Sequence, residues 1–137
     1  MFTEAALAFL RSPRFGYLAT MGDDGVPHNV PIWYDVVAAG DGVHEMVMIA
    51  DRTSRKTRNV LARPPAALTV GGLPGDRDGY MVRGIVSVVD DPDQRATHAM
   101  IDRYESGERN AALRAMWADD DIVVLRLTPT SVVKVWG

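Results

Sequence analysis

Residues 15–20 and 26–37 are rich in β-branched and aromatic side chains, and Gly22-Asp23-Asp24-Gly25 between them ends in an Asp-Gly pair, a strong hairpin signal. An antiparallel pair is predicted there. A second turn, Ala39-Gly40-Asp41-Gly42, leads into residues 43–50, where Met46, Met48 and Ala50 share one face and Val47 and Ile49 the other. The three runs read as a meander. Within the second run Trp33 and Tyr34 point to opposite faces, so at most one enters the core and the other is free to flank a ligand or partner. Pro27 and Pro31 mark that run as an edge strand, or as backbone leaving the ladder.

Helical signals lie between and around these runs. Thr3 caps a short helix through Leu10, with Glu4 at the positive end of the dipole, and Arg11-Ser12-Pro13 ends it. Residues 53–62 predict a second helix, stopped by Arg63-Pro64-Pro65. Residues 66–70 and 80–89 read as strands four and five. Asp90-Asp91-Pro92-Asp93 then opens a helix with its proline in the first turn, and Ala96, Ala99, Met100, Arg103 and Tyr104 follow the helical period. A further helix covers residues 110–117. The valine-rich runs 122–127 and 132–136 are separated by Thr128-Pro129-Thr130-Ser131 and read as strands six and seven. Short strands with helices at the ends and in one late insertion predict a mainly β fold: a six- to seven-stranded antiparallel barrel with accessory helices.

Length makes this one domain, residues 1–137, since neither a repeat nor a long linker divides the chain. With 47% hydrophobic and 24% charged residues the composition suits an ordinary core. The absence of cysteine removes disulfides, thiolate metal sites and cysteine nucleophiles. No apolar run reaches the ~20 residues of a spanning helix, and a soluble, cytoplasmic protein is expected. A net charge of −3 speaks against nucleic acid or anionic lipid as a general partner.

The usual catalytic signatures are missing. Gly71-Gly72-Leu73-Pro74-Gly75 has neither the dinucleotide nor the Walker spacing, His28, His44 and His98 form no metal pair, and Ser106 stands in no nucleophile elbow. Asp119-Asp120-Asp121 reads as a solvated turn ahead of a strand. The strongest chemical signal is Arg52-Thr53-Ser54-Arg55-Lys56-Thr57-Arg58-Asn59, four cations and three hydroxyls in eight residues of an acidic chain. A helix starting at Thr53 or Ser54 has free backbone donors suited to phosphate, and Arg55 and Lys56 add charge. Only some of these side chains can face one ligand, because helical neighbours are three or four residues apart. A solvated basic face is the bland alternative.

Several pieces together, Leu18-Ala19-Thr20, Gly25-Val26-Pro27-His28 with Val30-Pro31-Ile32-Trp33, Ser54-Arg55-Lys56-Thr57-Arg58-Asn59, and Pro64-Pro65-Ala66-Ala67-Leu68, resemble the pyridoxamine 5'-phosphate oxidase-like split β-barrel family. Ile101-Asp102-Arg103-Tyr104 and the ending Val132-Val133-Lys134-Val135-Trp136-Gly137 look most like its deazaflavin branch, which uses coenzyme F420. The resemblance implies a homodimer with the cofactor in a groove at the subunit interface and a small-molecule substrate. It implies that Ser54, Arg55, Lys56 and Asn59 hold the cofactor phosphate, with Arg52 and Thr53 assisting. It places Pro31 and Trp33 along the ring system, and Gly79 and Tyr80 on its other side. The implied reaction is hydride transfer from reduced F420 to an unsaturated or carbonyl acceptor. No dedicated catalytic side chain is required, although Tyr80 is a candidate to complete protonation. An FMN-dependent oxidase or reductase, or a non-catalytic flavin or haem carrier, would use the same fold and basic segment.

Overall fold

The computed structural model describes residues 1–137. Its elements in chain order are α1 (Glu4–Arg11), β1 (Gly16–Met21), β2 (Pro27–Ile32), β3 (Tyr34–Ala38), β4 (His44–Asp51), α2 (Arg55–Ala62), β5 (Pro65–Gly71), β6 (Gly79–Asp90), α3 (Arg95–Tyr104), α4 (Gly107–Met116) and β7 (Ile122–Trp136). Every strand pair is antiparallel, and the sheet order is β2-β1-β5-β6-β7-β4-β3.

That order decides the shape. β2 and β3 lie on the two outer edges of the sheet, yet only Trp33 separates them in the chain. The sheet must therefore curl until its edges meet at that residue, and it stays open where they diverge. This is a split barrel. The expected strand 26–37 is thus two strands, and the expected meander is two hairpins on opposite edges, β1–β2 and β3–β4. Alternation of side chains across the pleat carries no information about which neighbour a strand finds, so sequence pattern alone joined them.

A second difference concerns β7. Residues 128–131 do not break it: the strand runs on to Trp136, and the register against β6 shifts at Arg83/Gly84, opposite Pro129. A bulge accommodates the missing proline donor without ending the ladder. Gly84 makes the close approach possible, since a Cβ there would lie 2.0 Å from the Thr128 carbonyl oxygen.

The barrel interior is filled by one face of each strand, including Leu18, Tyr34, Met46, Met48, Leu68, Val82, Leu125 and Leu127, all fully buried. Leu10 of α1 and Val60 of α2 join the same cluster. The helix at the start forms as expected, with Thr3 Oγ1 accepting the Ala6 amide at 3.0 Å. α3 starts later than expected, at Arg95, so Pro92 precedes it. Gln94 holds its N-cap position, and Asp91 upstream supplies the acceptor: its carboxylate accepts the Ala96 and Thr97 amides and the Thr97 hydroxyl. Burial opposes ionisation of Asp91, but these donors outweigh it and lower its pKa. α4 covers Gly107–Met116, starting earlier than residues 110–117, with Ser106 at its N-cap. No helix is long and apolar enough to cross a membrane.

Candidate functional site

The corner at Trp33 is held from behind by α3. The indole stacks on the Tyr104 ring with centroids 4.7 Å apart and planes 2° from parallel, and Trp117 meets it edge-on at 6.2 Å. The Tyr104 hydroxyl accepts the Tyr34 amide at 3.1 Å and donates to the Arg14 carbonyl at 2.6 Å. Burial raises the pKa of this phenol, which keeps its proton on the bond. Arg103 beside it donates to the carbonyls of Tyr34, Arg11 and Leu10, so one guanidinium ties the corner to the C-terminal end of α1. Tyr34 turns its ring into the core, as expected for one of the two aromatics, and Trp33 takes the outer face.

In front of Trp33 lies a cavity of about 400 Å³. Pro31 and Trp33 line it from the corner, Ile49 from the outer face of β4, Lys56 from α2, and Leu113 and Trp117 from α4 and its C-cap. A smaller hollow of about 190 Å³ shares Ile49, Lys56 and Trp117 and extends the space towards Asp51 and Asp120.

Lys56 reaches this space because of how α2 is seated. The helix lies across one end of the barrel against β1, β4 and β6. Asn59 anchors it: the side chain is 5% exposed and its amide donates to Thr20 Oγ1 at 3.0 Å. Thr57 and Ser54 both donate to the Asp51 carbonyl at 2.8 Å, which fixes the turn from β4. Ser54 is the N-cap residue, yet its hydroxyl caps no amide, and the first turn contains no acid. The backbone donors of that turn are left without a side-chain acceptor, next to Lys56. This set suits a phosphate.

The basic segment is divided by the helix. Lys56 faces the aromatic cavity, whereas Arg55, Arg58 and Asn59 border a separate hollow of about 330 Å³ with Arg63 and Asp23. Thr53 is exposed in the turn. Arg52 points elsewhere, with Nε 2.7 Å from Asp121 Oδ2 and Nη2 2.6 Å from Asp90 Oδ1. The Asp121 and Asp90 bonds raise the Arg52 pKa, and Arg52 in turn lowers that of Asp121. Gly79 and Tyr80 are not brought to Lys56 within one chain. Both are buried, with Tyr80 against Phe9 of α1 at 5.6 Å and Gly79 beside Trp136. Trp117 and Arg109 were not anticipated as site residues. Their signal was the four-residue spacing Arg109, Leu113, Trp117, which puts all three on one helical stripe.

Residues 2–136 match the pyridoxamine 5'-phosphate oxidase family. The chain belongs to that family. Its relatives include the 5a,11a-dehydrotetracycline/5a,11a-dehydrooxytetracycline reductase of Streptomyces rimosus subsp. rimosus, 36% identical over 139 residues, covering 99% of this chain and 83% of that protein. Among solved structures, an F420 reductase superposes with a TM-score of 0.74 at 26% identity, covering 96% of this chain and 98% of the other. A pyridoxamine 5'-phosphate oxidase-related FMN-binding protein from Nostoc punctiforme shares the fold, with a TM-score of 0.58 at 16% identity over 87% of this chain and 72% of the other. This member of the pyridoxamine 5'-phosphate oxidase family is an oxidoreductase.

Proposed function

We propose that the protein is a cytoplasmic reductase that binds coenzyme F420 and passes a hydride from the reduced cofactor to a small organic acceptor. The observation that carries this reading is the single cavity joining Lys56 to Pro31 and Trp33 beside the uncapped start of α2. Lys56 and the first-turn amides would hold the phosphate, with Ser54 and Thr53 next to them. Arg55 and Arg58, on the adjoining hollow, would extend the cationic surface. Pro31 and Trp33 would give the ring system a rigid apolar wall. When bound, the deazaflavin supplies the hydride, and the chain contributes position and exclusion of water. The similarity to a named reductase and to an F420 reductase structure supports this choice over FMN.

A homodimer belongs to the same proposal. Ile85 and Val89 of β6 are 46% and 40% exposed on the outer face of the sheet, with Val124 of the neighbouring strand opposite Val89. A second copy covering this face would remove apolar surface from water and add a second wall to the groove. Sedimentation equilibrium is expected to give twice the chain mass at micromolar concentration; a monomer would overturn the dimer.

The cofactor is tested by titrating the purified protein with F420 and with FMN in parallel, following fluorescence. Tighter binding of F420 is expected, with a reduced complex that resists oxygen because carbon replaces the flavin's oxygen-reactive nitrogen. Preference for FMN would overturn the reading.

A further inference from the structure

The tripeptide Asp-Gly-Val occurs twice, at residues 24–26 and 41–43, each time in a hairpin turn, and a third Asp-Gly pair stands at residues 78–79. In an Asp-Gly pair the backbone amide reaches the carboxyl group before it with little hindrance, because glycine carries no side chain. The three pairs have the same local chemistry and different surroundings.

In the β1–β2 turn the Gly25 amide donates to the Gly22 carbonyl at 3.1 Å, and the Asp24 carboxylate accepts the Val26 amide at 2.9 Å. Both reacting groups are held. In the β3–β4 turn Gly40 stands where the first turn has Asp23, takes φ 106°, and lets the turn close one residue later, with the Val43 amide donating to the Gly40 carbonyl at 2.7 Å. Asp41 and Gly42 thereby become its two central residues, at φ 28° and 75°, as in a type I′ turn. The Asp41 carboxylate has no partner in the chain, and the Gly42 amide donates to none. Both residues are exposed, and nothing lies within 4 Å of where a Gly42 Cβ would stand. At the third pair the Asp78 carboxylate is 3.0 Å from Lys134 Nζ, and Gly79 is buried in the ladder between Gly71 of β5 and Trp136 of β7.

We infer that Asp41 is a site of spontaneous isoaspartate formation, and that the fold shields the other two Asp-Gly pairs from the same reaction. The Gly42 nitrogen gives its proton to solvent and bonds to Asp41 Cγ; a Cγ–O bond breaks, the oxygen leaves as water, and a five-membered succinimide closes. Water then adds to one of the two ring carbonyls. Cleavage of the new N–Cγ bond restores aspartate. Cleavage of the original peptide bond leaves the chain running through Cβ and Cγ, with the former main-chain carbonyl freed as a carboxylate. No electrons are gained or lost. The product lengthens the turn by one backbone carbon, at a residue that holds a left-handed conformation disfavoured for side chains other than glycine. At Asp24 two hydrogen bonds must open before attack, which slows the reaction by roughly tenfold or more. None of this depends on the cofactor or the acceptor.

The test ages the full-length protein in neutral buffer below its melting temperature. Chymotrypsin, cutting at Trp33 and Tyr34, separates Asp24 from Asp41. Isoaspartate is located in the peptides by electron-transfer fragmentation and counted by methylation with an isoaspartyl methyltransferase and labelled S-adenosylmethionine. It should accumulate at Asp41 at least about tenfold faster than at Asp24 or Asp78. In denaturant, where the turns are gone, Asp24 and Asp41 should react at similar rates. Asp41→Glu, which would have to close a six-membered ring, should remove most of the label from the folded protein, and Asp24→Glu should remove almost none. Comparable rates at Asp24 and Asp41 in the folded protein would overturn the inference, as would the absence of isoaspartate at Asp41. An Asp41 excess that persists in denaturant would overturn it too, since sequence rather than fold would then set the rate.

Discussion

Arg52 and Lys56 flank the start of the same helix, four residues apart, and the structure gives them opposite uses. Arg52 is spent inside the molecule: its guanidinium joins the end of β4 to Asp121 ahead of β7 and to Asp90 at the end of β6, and its backbone amide also donates to the Asp121 carbonyl at 3.0 Å. Lys56 has no carboxylate within ion-pair distance and is turned towards an aromatic cavity. The difference lies in where acids stand in space, because charge type and local spacing are nearly the same for both. A cation already paired gains little from a new anion, whereas an unpaired one beside open amides gains a charge-assisted contact.

Removing each charge in turn and measuring cofactor affinity separates the two cations. Lys56→Ala is expected to weaken F420 binding by roughly ten- to a hundredfold, about 1.5 to 3 kcal/mol, by isothermal titration. Arg52→Gln should leave that affinity unchanged; equal losses in both variants would mean that Arg52 leaves its carboxylates to join the ligand. A smaller effect is expected where the seating of α2 is disturbed. Asn59→Ala leaves the buried Thr20 hydroxyl without its donor and should cost about 1 to 3 kcal/mol of stability, read from the urea midpoint. No loss there would show that the helix is positioned by apolar packing of Val60 alone.

The smallest effect is on pH dependence. Arg52 lowers the pKa of Asp121 in the folded state, so the contribution of this contact is fully present above the ordinary aspartate value of about 4. It is lost as pH falls through the lower folded value. Thermal midpoints between neutral and acid pH should therefore fall less steeply in Asp121→Asn than in the wild type. Parallel curves would show that the contact is solvated and idle.

Much of this molecule is legible along the chain. The alternation of Met46, Met48 and Ala50, the Asp-Gly turn before Val26, the Thr3 cap and the basic run at residues 52–59 are local features, set by period, turn chemistry and dipole. They point to a mainly antiparallel fold and to a local gathering of positive charge. What lay beyond their reach is long-range. Trp33 looks like one more residue of a strand until the sheet order sends β2 and β3 to opposite edges and makes it the hinge of the split. Arg109 and Trp117 look like part of an accessory helix until α4 is placed over the cavity.

Neighbours along the chain therefore account for most of the extended segments and for where positive charge gathers, but not for the break at Trp33 or the continuity of β7 through Pro129. The tertiary structure determines which cation is left unpaired and which aromatics line the cavity, and it puts Tyr80 under α1. Contacts of this kind join groups more than ninety residues apart, as where Arg103 donates to the Arg11 and Leu10 carbonyls, and no local period encodes such meetings.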